Sequence, residues 1–192
     1  MSAFLLSTAV IFVAELGDKS QLMAMTFATR YRVRDVLIAI TAATAVVHLV
    51  SVGLGAWVGT AFADYQDVIS IVAGVAFLVF AAWTLRGDEL TDDEADKARR
   101  STGTAIVAVG TAFFLAELGD KTMLATITLA TQEGWLGTWI GSTVGMVAED
   151  ALAIGVGAVL GRKLPEKAIT YGAAAAFVVF GLLLIAEGLG WF

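Results

Sequence analysis

The chain has 192 residues, 58% of them hydrophobic and 16% charged, and a mean hydropathy of +0.83, whereas an ordinary soluble domain is about 45–50% apolar and about 25% charged. That balance excludes a conventional soluble fold, and the lack of any cysteine excludes disulfides, thiolate metal sites and cysteine nucleophiles. The net charge of −6 marks no nucleic-acid partner.

Six apolar runs of roughly twenty residues or more follow one another, each of a length that crosses a bilayer. The first, about 3–28, has no basic segment ahead of it and carries Glu15 and Asp18 inside it, so it is expected to stay in the protein as a span rather than serve as a cleavable signal. Arg30, Arg32 and Arg34 lie in the first connection. The second span, about 36–60, contains His48. "ADYQD" leads to the third span, about 67–86. The stretch "RGDELTDDEADKARR" follows and reads as a solvated linker, 87–103. The fourth span, about 104–130, carries Glu117 and Asp120. After "TQEGW" the fifth, about 136–160, carries Glu149 and Asp150, and the sixth runs about 168–190.

Lys and Arg concentrate in connections one, three and five and are absent from connections two and four. The positive-inside rule therefore puts the linker in the cytoplasm and both termini outside. The expected fold class is an all-α polytopic membrane protein.

An internal repeat organises the six spans. "AELGDKSQLMAMTFAT" from Ala14 matches "AELGDKTMLATITLAT" from Ala116, 102 residues later, at ten of sixteen positions. The same offset relates Gly53 and Gly55 to Gly155 and Gly157, and His48 to Asp150. Three spans is an odd number, so the second copy crosses in the opposite sense. The expectation is two inverted three-helix repeats, 1–86 and 104–192, an architecture common among secondary transporters with sites near the midplane.

A charge at the centre of a membrane helix costs roughly 2.5–3.5 kcal/mol. Glu15, Asp18, Lys19, Glu117, Asp120 and Lys121 facing lipid would together cost on the order of 15–20 kcal/mol. They are therefore expected to face the bundle interior. In an unbroken helix Glu15 would pair with Lys19, and Glu117 with Lys121, at the favourable spacing of four, leaving Asp18 and Asp120 uncompensated. Gly17 and Gly119 sit inside the motifs, where a break would free carbonyls for a cation. Ser20 and Thr122 join the acids only if the helix unwinds, while Gln21 and Met123 lie beside the carboxylate face in either case. His48 and Asp150, with Glu149, are candidates for pairing with a lysine or for carrying protons. Gly137, Gly141 and Gly145, with Ala39 and Ala43 at matching places, read as a close helix-packing surface.

Two copies of E-x-G-D-K/R-S/T, one per repeat, resemble the transmembrane protein 165 family of cation transporters, in particular its bacterial manganese exporters. The resemblance covers essentially the whole chain, with both motifs complete as Glu15-Leu16-Gly17-Asp18-Lys19-Ser20 and Glu117-Leu118-Gly119-Asp120-Lys121-Thr122. It implies transport of Mn²⁺ or Ca²⁺ coupled to H⁺, with Glu15, Asp18, Glu117 and Asp120 as cation ligands, no cofactor and no enzymatic activity. The partners expected are the metal ion, protons and the lipid of a prokaryotic plasma membrane, with room for a homo-oligomer. Oxygen donors suit Mg²⁺, Ca²⁺ and Mn²⁺ alike. Export of an organic cation such as lysine, an intramembrane aspartyl protease and a non-transporting assembly factor are the rival readings. The protease reading is disfavoured because its usual motif is G-x-G-D, whereas both motifs here read E-L-G-D.

Overall fold

The computed structural model describes residues 2–86, 104–160 and 166–191. The expected linker 87–103 and most of the fifth connection lie outside the described residues. Within them the chain is helical throughout, with no strand. In order come α1 (Ala3–Glu15), α2 (Lys19–Ala28), α3 (Val33–Ala61), α4 (Gln66–Arg86), α5 (Ala105–Glu117), α6 (Lys121–Ala130), α7 (Trp135–Leu160) and α8 (Glu166–Gly188), with a 3₁₀ turn at Ala63–Tyr65 before α4.

Among the described residues, four segments are long and apolar enough to cross a membrane: Val33–Ala61, Ala63–Arg86, Trp135–Gly157 and Thr170–Gly188. The motif-bearing runs, in which the sequence allowed a break at Gly17 and Gly119, are both broken there. Each is cut into a 13-residue and a 10-residue helix, so neither piece alone spans about 30 Å of hydrocarbon at 1.5 Å per residue. The two cuts use the same backbone device. Gly17 and Gly119 both have φ +80°, the left-handed region in which an L side chain is strained. The far ends match too: Thr29 donates its hydroxyl to the Thr26 carbonyl, and Thr131 to that of Thr128, each at 2.7 Å.

Polarity is arranged inside out relative to a soluble protein. Glu15, His48, Glu149 and Asp150 are completely buried, while Trp57, Val72, Val107 and Leu115 are 61–64% exposed. In water such an apolar exterior would aggregate; in lipid it is solvated, and the backbone is satisfied within helices. The chain is an all-helical polytopic membrane protein.

The extensive contacts run between the halves rather than within them. α1 packs on α7, α5 and α6 on α3, α3 on α7, and α4 on α8. Close approach depends on the small residues anticipated from sequence. A Cβ on Gly137 would lie 2.8 Å from the Ala3 Cβ, and one on Gly145 would lie 2.6 Å from the Thr8 carbonyl oxygen. On the other side, Gly55 and Gly59 abut the carbonyls of Ile127 and Thr131. These contacts advance along both partners together, so α7 runs with α1 and α3 runs with α6. By contrast Gly74 meets Gly181 while Gly188 meets Asp67, so α4 and α8 are antiparallel. Phe77, Phe80 and Phe177 fill that last interface, with ring centroids 5.8–6.1 Å apart.

Candidate cation site

Breaking the helices brings the two motifs face to face. Glu15 ends α1 and Asp18 is the N-cap residue of α2; Glu117 ends α5 and Asp120 is the N-cap residue of α6. Neither aspartate spends its side chain on capping its own helix. The backbone closes each break locally, the Asp18 N–H donating to the Glu15 carbonyl at 2.9 Å and the Asp120 N–H to that of Glu117 at 3.3 Å. Two helix N-termini and two C-termini thus converge on one buried region, each carrying a partial charge.

Carboxylate oxygens of Glu15, Asp18 and Asp120 lie within 4.8 Å of one another, and all three residues are buried. They come from both motifs. Glu117, 1% exposed, is not part of that threesome but faces it, with Glu15, Asp120, Asp18 and Asp150 in electrostatic reach. Ser20 donates its hydroxyl to Glu15 Oε2 at 2.6 Å, and Thr122 donates to Glu117 Oε2 at 3.1 Å. The left-handed glycines make these two bonds reachable; in a straight helix the hydroxyls would point away.

One ion pair departs from the straight-helix expectation of pairing within each motif. Lys121 Nζ donates to Asp18 Oδ1 at 2.6 Å, an ion pair that joins the second motif to the first. Lys121 is buried and Lys19 half-buried, so the two motifs are alike in sequence but not in surroundings. Met123 turns its sulfur to the break, where the Gly119 N–H donates to it at 3.2 Å, and Gln21 is buried on α2.

Asp150 lies in electrostatic reach of Glu15, and Glu149 in reach of Asp150, Glu15, Asp18 and Lys121. His48, the repeat counterpart of Asp150, is buried on α3, and neither ring nitrogen has a hydrogen-bond partner among the described residues. Thr44, also on α3, donates to the sulfur of Met146, its own repeat counterpart, at 3.3 Å. That contact and the Lys121–Asp18 pair escaped sequence reasoning, because neither partner is near the other along the chain. The 102-residue offset was the available signal for the first.

Two glutamates, two aspartates and two hydroxyls form a buried oxygen-rich cluster that can hold a hard divalent cation, or protons in its place. Comparison with known proteins agrees in kind. The family described as divalent cation/proton antiporter GDT1 matches residues 3–92 and 105–191. The chain belongs to the GDT1 family. The match bears out the family resemblance drawn from the paired motifs, and GDT1 proteins are transporters rather than enzymes.

Among its GDT1-family relatives, a protein of Vibrio cholerae named "Putative manganese exporter" is 36% identical over 95% of this chain and 90% of its own length. The GDT1-like protein sll0615 of Synechocystis is 29% identical over 95% of this chain and 96% of its own length. The chloroplastic protein PAM71 of Arabidopsis thaliana is 31% identical over 97% of this chain, which spans 56% of that longer protein. No solved structure matches.

Proposed function

We propose that the chain exports Mn²⁺ from a prokaryotic cell across the plasma membrane in exchange for protons, and that Glu15, Asp18, Glu117 and Asp120 receive either the metal or the protons. The observation that carries this reading is the meeting of three carboxylates, from both motifs, within 4.8 Å at paired helix breaks. Competition of metal and protons for one set of oxygens is enough to couple the two fluxes. The choice of Mn²⁺ follows the name of the Vibrio relative. Lys121 serves as a tethered counter-ion that holds Asp18 until the metal displaces it.

The proposed frame is six crossings in two inverted three-helix repeats, with α1–α2 and α5–α6 each counting as one broken crossing. The start of α1 lies beside the start of α7, and the ends of α3 and α6 meet. Since α7 begins a few residues after α6 ends, α1–α2 and α5–α6 run oppositely. The antiparallel α4–α8 pair agrees. With Arg30, Arg32 and Arg34 at the start of α3 and Arg86 ending α4, the positive-inside rule makes that end cytoplasmic and both termini external.

A Ca²⁺/H⁺ exchange reading has its own support. The Met123 and Met146 sulfurs are both engaged in hydrogen bonds, leaving an all-oxygen cluster of the kind Ca²⁺ favours. Transport by purified protein in liposomes, with an imposed pH gradient and Mn²⁺ against Ca²⁺, separates the two. Glu15→Gln and Asp120→Asn are each expected to abolish metal-driven proton release. Wild-type rates in either variant would refute the site.

A further inference from the structure

The two halves share their motifs but not the helix faces that lead to them. On α7, Thr138, Ser142 and Glu149 fall within an arc of about 40° at 3.6 residues per turn, and all three are completely buried. This stripe lies between the edge of α7 that touches α1, through Gly141 and Gly145, and the edge that touches α3, where the Trp139 Nε1–H donates to the Ala45 carbonyl at 2.8 Å. Ser7 of α1, also completely buried, shares a face with Ile11 and Ala14 on the helix that ends in Glu15. The repeat counterparts of Ser7, Thr138, Ser142 and Glu149 are Val109, Val36, Ile40 and Val47. These four are buried as deeply, yet every one is aliphatic.

Burial in a membrane protein makes an unsatisfied hydroxyl or carboxylate costly, and such groups normally share water. Ser7 Oγ, Thr138 Oγ1 and both oxygens of Glu149 and of Asp150 have no hydrogen-bond partner among the described residues, while Ser142 donates to the Trp139 carbonyl and keeps its lone pairs for another donor. The stripe starts one turn inside the external end of α7 and reaches Glu149 about 16 Å further in, at 1.5 Å per residue. Glu149 in turn has Asp150, Glu15, Asp18 and Lys121 in reach; Lys19 begins α2, and His48 lies on α3, both helices that also pack on α7.

We propose that the buried seam marked by Ser7, Thr138, Ser142 and Glu149 is a water-lined path that carries protons between the external face and the acid cluster, and that the mirrored seam around Val36, Ile40, Val47 and Val109 is dry. Protons thus enter from outside along one half of a symmetric frame, while the other half withholds a matching leak to the cytoplasm. The proton in this proposal rests on the antiport reading; the water does not.

The chain's lack of cysteine permits a direct test. Thr138→Cys, Ser142→Cys, Val36→Cys and Ile40→Cys are placed singly in nanodiscs, where both faces are open, and treated with Ag⁺, which is small enough to follow a water file. Thiol remaining is scored with a fluorescent maleimide after denaturation. The cysteines at 138 and 142 are expected to react about tenfold faster or more than those at 36 and 40, and equal rates overturn the proposal. In liposomes, Ser142→Val is expected to slow Mn²⁺-driven proton release about tenfold or more with Mn²⁺ binding unchanged. Wild-type release from that variant overturns the proton route. If the wild-type chain itself exchanges no protons for Mn²⁺, the antiport reading fails, and the Ag⁺ contrast alone decides the path.

Discussion

Gly17 and Gly119 convert two ordinary apolar helices into a site. At φ +80° an alanine would be strained by about 1–2 kcal/mol. The chain can relieve that strain by running α1 into α2 as a straight helix, which would carry Ser20 away from Glu15 and Asp18 away from Lys121. Gly17→Ala is therefore expected to lower the unfolding temperature modestly and to cost transport far more than stability. Calorimetry and liposome flux on the same preparation check this, and a variant that loses both in proportion would contradict it. Lys121 offers a second test at the same scale. Removing it by Lys121→Gln takes a cation away from the buried Asp18, at a cost of up to about 3–5 kcal/mol. A divalent cation would offset that loss, so Mn²⁺ should raise the melting temperature of Lys121→Gln more than that of the wild type. Equal shifts would show that the ion and the lysine do not share Asp18.

Among the elements, small residues decide which faces touch, and they do not all do so. A Cβ on Gly145 would press on the Thr8 carbonyl, whereas one on Gly53 meets nothing within 4 Å. Gly145→Ala is expected to push α7 off α1 and impair folding, and Gly53→Ala to be neutral or to stabilise by about 0.5–1 kcal/mol, both measurable by thermal unfolding in detergent. Periodicity and repetition made the six apolar runs, the equivalence of the two motifs and the Gly137, Gly141 and Gly145 stripe legible in the sequence, because each is a local or a translational pattern. What escaped was contact across the fold. Lys121 reaches Asp18 because the helix breaks turn each motif toward its twin, and intrahelical spacing carries no trace of that. The role of Ser20 and Thr122 was legible conditionally: unwinding brings them to the glutamates, and both motifs unwind. The uneven polarity of α3 and α7 was present in the sequence but has meaning only once both stripes are seen to be buried.

For the whole molecule, orientation is the first thing to measure. Tyr65 is 62% exposed beyond the end of α3, and Arg32 lies at the opposite end of that helix. In intact cells a membrane-impermeant maleimide should label Tyr65→Cys and leave Arg32→Cys unlabelled; the reverse pattern would invert the proposed topology. The interlocked packing has a separate consequence for how the chain is assembled. α1 finds its neighbour in α7, α5 in α3, and α4 in α8, so neither half on its own contains the surfaces that its helices bury. Two separately encoded fragments, 1–86 and 104–192, should find each other in the bilayer and co-purify as a stoichiometric pair, while either one expressed alone should be degraded.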